Sequence, residues 1–184
     1  MSQTIHVTLD GIRPILFDRY PGDNRTRLEP ERKMYLDASQ GLVIPLFNIY
    51  SLLTAQNTRS VAKRGARNEA SSRRLIADGI LSYVGIRPDN IPLLDEHDRQ
   101  ITWEGAWTDR IKVRTDVARL AGGKPNPVVR PYVVPPWRLR FEMDYVENTD
   151  CTLENLRLSL TTGGLIGLGA FRPLFGRFEL SEFV

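Results

Sequence analysis

The residues best suited to chemistry lie near the end of the chain, in Gly163-Gly164-Leu165-Ile166-Gly167-Leu168-Gly169-Ala170-Phe171-Arg172-Pro173-Leu174-Phe175-Gly176-Arg177-Phe178. Five glycines fall within the fourteen residues 163–176, beside Arg172 and Arg177. Glycine loses much conformational freedom on folding, so such a cluster marks unusual backbone angles or a close approach of the backbone to another group. Amides freed by Gly167 and Gly169, next to two guanidiniums, are the chemistry of a phosphate receptor. The structural alternative is a helix ending at Thr162, with Gly163 as the left-handed residue past its end and a tight turn after it.

The second source of chemistry is cationic. The net charge of +3 is unevenly spread: zero over 1–56, +5 over 57–74, −5 over 75–109, +7 over 110–140 and −4 over 141–184. Arg59, Lys63, Arg64, Arg67, Arg73 and Arg74 stud a segment with almost nothing apolar to bury, so 57–74 is expected to be an exposed, mobile connection. Arg110, Lys112, Arg114, Arg119, Lys124 and Arg130 fall on two strands around Gly122-Gly123-Lys124-Pro125-Asn126-Pro127, which predicts a protruding basic hairpin over 110–134. Basic blocks inside a nearly neutral chain are the footprint of a polyanion, and a nucleic-acid backbone is the simplest one.

Acid–base and metal chemistry has little to work with. His6 has no partner nearby in sequence and reads as a solvent-facing histidine on a strand. His97 stands among Asp95, Glu96 and Asp98 and reads as a solvated surface residue, because a metal needs ligands converging from elsewhere. A single cysteine, Cys151, excludes an internal disulfide framework and any cysteine-based metal cluster. No catalytic residue, metal or cofactor is singled out.

The elements that must position these groups follow from periodicity. At 184 residues and 41% hydrophobic the chain is expected to be one domain, 1–184. Thr4–Asp10 alternates as a half-buried strand. Residues 18–40 form a long polar loop. Pro45 is placed to open a helix with Leu46, Ile49, Leu52 and Leu53 as its stripe. A second helix carries Leu75, Ile76, Gly79, Ile80, Tyr83 and Val84 on its buried side, and Ile86–Asp98 reads as an acidic, proline-bearing loop. Residues 101–103 form a short strand. The strand from Arg110 should turn Ile111, Val113 and Thr115 inward. Trp137–Tyr145 alternates over nine residues with Trp137, Leu139, Phe141, Met143 and Tyr145 facing the core. Asp150 or Thr152 caps the last helix, and a strand over 176–184 closes the chain. The order is strand, helix, helix, strand, strand, helix, strand: an α+β, ferredoxin-like (RRM-like) βαββαβ pattern. No apolar run approaches the roughly 20 residues of a membrane span. The first six residues lack a signal peptide's basic flank and apolar core, so a cytoplasmic location is expected.

A glycine-rich loop between the last helix and last strand of such a domain resembles the signature of the RAMP superfamily, the RNA-binding subunits of CRISPR effector complexes and their relatives. The family pattern is roughly Gly-x-Gly, about five residues, then Gly-x-Gly or Gly-aromatic. Here it is Gly167-Leu168-Gly169, six residues, then Gly176-Arg177-Phe178. Gly41-Leu42-Val43-Ile44-Pro45 is similar to the family's approach to its first helix. Residues 12–19 and 169–178 resemble small phage- and prophage-encoded proteins of this kind. The matches cover about a quarter of the chain; it is shorter than typical CRISPR backbone subunits, and the glycine spacing is one residue longer.

The resemblance implies single-stranded nucleic acid, RNA before DNA, bound along its backbone by subunits that assemble side by side. It also implies a thumb-like hairpin at 110–130 and a place in a ribonucleoprotein complex or a homo-oligomer. A guide-processing endoribonuclease of the same superfamily is the alternative. It would have only His6 and His97 for acid–base work, or Asp18, Asp23 and Asp37 of the first loop for a metal. A third reading is a phage inhibitory protein whose basic segments meet an acidic protein surface.

Overall fold

The computed structural model describes residues 2–23, 25–54, 70–119 and 125–184. The alternating stretches build its centre. Strand β1 (Ser2–Gly11) pairs antiparallel with β8 (Trp137–Val146) along their full length, from Ser2 opposite Val146 to Gly11 opposite Trp137. Ile5, Val7 and Leu9 then meet Leu139, Phe141, Met143 and Tyr145 in one buried layer. Strand β9 (Phe178–Phe183) adds to the other edge of β1. Beyond β8 lie β4 (Val84–Arg87) and β5 (Asn90–Leu94), end to end, and β3 (Val43–Pro45) follows β5. The main sheet therefore reads β9–β1–β8–(β4, β5)–β3, all of its neighbours antiparallel.

Three α-helices pack on the core: α1 (Leu46–Leu53), α2 (Ala70–Tyr83) and α3 (Leu153–Ile166). They supply Ile49, Leu52 and Leu53, then Ile80, then Leu156 and Leu160. Thr152 caps α3 by accepting from the Asn155 amide. The fold is α+β, with antiparallel sheets and three α-helices among the described residues. None of these helices is long and apolar enough to cross a membrane.

Several expectations are corrected. The stretch 86–98 holds the second half of β4 and all of β5, with Ile86, Ile91 and Leu93 buried, so strand on the main sheet stands where a loop was expected. Helix α2 begins at Ala70, so Arg73 and Arg74 sit on a helix rather than in a connection. Helix α3 runs on to Ile166, so Gly163 and Gly164 are helical. A β-carbon at Gly163 would press on Leu52 of α1 at 2.8 Å, and one at Gly164 would overlap the Phe178 carbonyl oxygen. Those two glycines let α3 pack closely and are not its stop.

The basic hairpin is a separate three-stranded sheet: β6 (Ile111–Arg119) pairs with β7 (Pro125–Val133), and β2 (Ile15–Leu16) clamps its base. Ile111, Val133, Ile15 and Leu16 are buried there. Val113 and Thr115, expected inward, are exposed, because beyond the base the buried side chains of the hairpin, Pro131 and Arg130, belong to β7.

Cys151 sits fully buried beneath α2 and α3, and burial pushes its thiol up to about 11. Its thiolate fraction at neutral pH falls about a hundredfold below that of a free thiol. Native protein should therefore resist a thiol reagent that titrates one thiol per chain once it is unfolded. Stoichiometric labelling of the folded protein would contradict the burial.

Candidate nucleic-acid interface

The glycine loop is a backbone knot. After α3 ends, Gly167, Gly169 and Gly176 all adopt positive φ (87°, 77° and 69°). The Leu168 amide donates to the Gly176 carbonyl (2.9 Å), Ala170 to Leu16 (2.8 Å) and Gly176 to Pro14 (2.7 Å). The Ile12 and Arg13 amides return to the Arg177 carbonyl. The loop is thus stitched to β2 and to the turn after β1, and side chains at these glycines would collide with backbone oxygens.

Two features of the loop stand without a protein partner of the expected kind. Among the described residues, the amides of Gly169, Phe171 and Arg172 donate to no backbone carbonyl. Arg172 is half-buried, and among the described residues no carboxylate lies within ion-pair range of it, so burial lowers its basicity below the usual arginine value. A desolvated cation without a counter-ion is unfavourable unless a ligand supplies the charge. The guanidinium Nε of Arg177 is likewise buried without a hydrogen-bond partner among the described residues.

The hairpin's base lies against this loop. Arg114 stacks over Phe175 at 4.7 Å and Arg130 over Phe171 at 4.6 Å. These two arginines are opposite one another in the β6–β7 register. Arg130 is 8% exposed. It donates to Asp18 (2.7 Å) and lies 4.0 Å from Asp116, so it is an internal ion pair and not a surface contact. Lys33 joins the same cluster, donating to the Val129 carbonyl (2.7 Å) and facing Asp18 at 3.5 Å.

The other basic residues divide clearly. Arg110 is bonded to Glu96 and to the Pro136 carbonyl, Lys112 faces Asp109 at 3.7 Å, and Arg114 bonds Asp116. These three pairs are partly exposed and of modest strength, so their cations can still meet phosphate. Arg119 and the helical Arg73 and Arg74 are placed by backbone alone, and Arg59, Lys63, Arg64, Arg67 and Lys124 lie outside the described residues. Arg138 and Arg140, which swelled the basic count over 110–140, belong to the outer face of the main sheet. There Arg138 binds Asp10 (2.6 Å) and Asp98 (2.9 Å), Arg140 binds Asp98 (2.8 Å), and Arg87 binds Glu142 and Asp144. That face is a mesh of compensated charge, with His6 on it 3.5 Å from Glu142.

The first loop closes the site. A cleft of 270 Å³ beside Gly169 and Ala170 shares Asp18 with a second, of 280 Å³, that reaches Val129 on the hairpin. The second shares Arg19, Pro21 and Leu28 with a third, of 400 Å³, that ends at Trp103. The three clefts thus adjoin one another in a row from the glycine loop along the first loop. Sequence reasoning missed Arg19, Tyr35 and Trp103, whose only signal was their type within or beside a long polar loop.

The acids of this region hold loops. Asp23 accepts from Arg25, Thr26 and the Thr26 hydroxyl. Asp37 accepts from Ser39, Gly41 and Gln100, and Asp95 from His97 and Arg99. The Ser39 hydroxyl holds Asp37 down at about 2, and the Arg99 amide does the same for Asp95. A depressed carboxyl contributes stability that is complete above its unfolded value near 4 and is lost as pH falls through its folded value. The thermal midpoint should therefore fall between about pH 4 and pH 2, and Asp37→Asn with Asp95→Asn should flatten that part of the profile while lowering the midpoint at neutral pH. An unchanged slope in the double variant would contradict the assignment. Among the described residues no three of His, Cys, Asp and Glu converge as metal ligands.

No family model matches the chain, and no curated protein matches it in sequence. In structure it is similar to a chain of the Type III-B Cmr-beta complex bound to cognate target RNA, solved by cryo-EM. The TM-score is 0.58 at 14% identity, and the likeness covers 100% of this chain and 60% of that one. At this identity the similarity is one of fold, and this chain spans about 60% of its neighbour's length.

Proposed function

We propose that this protein is a non-catalytic, RAMP-type subunit that binds single-stranded nucleic acid, RNA before DNA, along the row of clefts between the glycine loop, the hairpin base and the first loop. The observation that carries this reading is the half-buried Arg172 without a carboxylate partner among the described residues, beside three loop amides that donate to no carbonyl. That arrangement suits a phosphate. The sheet order β9–β1–β8–β4 supports a ferredoxin-like reading, in which the four strands of a βαββαβ unit stand in the order 4-1-3-2. The likeness to a chain from an RNA-bound Cmr complex supports RNA as the ligand and a multi-subunit complex as the setting. Affinity is spread over the exposed hairpin cations, Arg172 and the segment 57–74, in a cytoplasmic protein that lines up in copies on the strand.

The acids of the first loop favour the non-catalytic form. Asp18 is committed to Arg130 and Lys33, while Asp23 and Asp37 are committed to turn amides. Fluorescence anisotropy with single-stranded RNA, single-stranded DNA and duplex DNA at two salt concentrations tests the proposal, with size-exclusion chromatography of each mixture. Neutralising about six phosphates gives a log–log salt slope near −4 for a single strand. Complexes should grow with strand length. Salt-insensitive binding, or none at low salt, would overturn the reading and leave an acidic protein surface as the partner to seek.

A further inference from the structure

The row of clefts does not end at the phosphate-binding loop. Its far cleft, 400 Å³ in volume, is lined by Arg19, Tyr20, Glu31, Arg32, Gln40 and Trp103 among others. Two of the chain's three tryptophans gather here: Trp103 and Trp107 pack with ring centroids 4.6 Å apart and planes inclined at 50°. Trp107 is 38% exposed and Tyr20 62% exposed. Trp137, by contrast, is the largest side chain of the core and donates its indole N–H to the Arg13 carbonyl. Partly exposed aromatic rings around a cleft are a stacking surface, and bases of any sequence stack on such rings. Arg19, itself held over the Tyr35 ring at 5.8 Å, and Arg32 place positive charge on the cleft's wall.

The polar groups narrow the ligand further. Gln40 carries a side-chain amide that both donates and accepts, the pairing that nucleobase edges present. Its backbone holds φ at +64°, a conformation costly for a residue with a β-carbon, and it follows the Asp37 turn immediately before Gly41. The Gln40 carbonyl accepts from the Trp103 amide (2.8 Å), which ties the turn to the backbone that carries the indole. Glu31 offers acceptors suited to an exocyclic amine. A lipid or an aliphatic peptide would make no use of these polar groups.

We propose that this cleft binds one unstacked nucleobase with its phosphate. The ring stacks on the Trp103–Tyr20 surface, Gln40 and Glu31 meet its edge, and Arg19 and Arg32 meet the phosphate. The proposal deepens the strand-binding reading and rests on it for the source of the base. The cleft itself can be tested alone, because a free mononucleotide carries the same chemistry.

The test is a titration of intrinsic tryptophan fluorescence with AMP, GMP, CMP and UMP, followed by a single-stranded RNA with and without one abasic position. Stacking should quench the signal saturably, with UMP weakest because uracil has no exocyclic amine. Gln40→Gly and Arg32→Gln should each weaken the mononucleotide by roughly tenfold. Gln40→Gly should also keep or raise the thermal midpoint, since it relieves the positive φ, which separates lost recognition from lost folding. No saturable quenching by any mononucleotide, or quenching that both variants leave unchanged, overturns the proposal even if the RNA binds with steep salt dependence. Quenching by mononucleotides without any RNA binding keeps the cleft as a free-nucleotide site and removes the strand as the source of its base.

Discussion

Gly176→Ala should lower the thermal midpoint by on the order of 10 °C, the largest effect expected of a methyl added at any of the described glycines. Two costs combine at that position. Gly176 sits at φ +69°, where an L-residue pays about 1 kcal/mol or more. Its β-carbon would also overlap the backbone oxygen of Leu168, which cannot rotate away as a side chain would. Relief needs the loop to open, which breaks the bonds from Leu168 to Gly176 and from Gly176 to Pro14. Strain and overpacking of this kind cost about 3–5 kcal/mol in total, a large share of a domain's stability. At this chain length each kcal/mol moves the midpoint by roughly 2–4 °C.

The comparison that isolates the overlap is Gly22→Ala. Gly22 lies at φ +100° with nothing among the described residues within 4 Å of an added β-carbon, so only the backbone cost applies and the shift should be a few degrees. Gly85→Ala, where a methyl would meet Asp144 at an ordinary 3.7 Å, should be nearly silent. Circular dichroism melts of the three variants order the effects. Equal shifts at 176 and 22 would mean that the loop is not held against Leu168.

The same loop shows what a sequence can and cannot convey. Its glycines announced a special backbone, and positive φ at Gly167, Gly169 and Gly176 is what the residue type is for. Gly163 and Gly164 carried the same signal for a different cause, close helix packing, and composition does not separate the two. The central strands were legible because β1 and β8 alternate over many residues with one face wet. Strand β5 was not, because Pro92 and the acids around it argue for a loop. Burial of Ile91 and Leu93 against β8 and β3 outweighs that local preference.

Charge was legible only as a sum. The +7 block over 110–140 counted Arg138 and Arg140, which are neutralised from Asp10 and Asp98, and Arg130, which is neutralised from Asp18. Asp18 stands 112 residues from Arg130, and Asp10 stands 128 from Arg138, beyond the reach of any local count. Arg172 shows the reverse: it sits in a net acidic stretch, yet no carboxylate among the described residues pairs with it, and it is this that makes it the proposed phosphate contact.

Arg172→Ala should therefore separate binding from stability. In the free protein a half-buried guanidinium without a counter-ion is a burden, so its removal should leave the thermal midpoint unchanged or slightly raised. On the proposed reading the same group meets a phosphate in a partly desolvated setting, where a charged hydrogen bond contributes about 1.5–3 kcal/mol. Single-stranded RNA affinity should drop roughly tenfold to a hundredfold, and the log–log salt slope should become shallower by about 0.7, one phosphate's worth. Arg138→Ala supplies the opposite pattern. Hydrogen bonds to Asp10 and then Asp98 hold its guanidinium above its ordinary basicity, so its loss leaves Asp10 without its cation and Asp98 with Arg140 alone. That variant should melt earlier and bind RNA within about twofold of the parent. Anisotropy and melting curves on both variants decide the matter. If Arg172→Ala melts early and binds normally, the guanidinium is a structural group with a partner in solution, and the phosphate site must be sought along the hairpin instead.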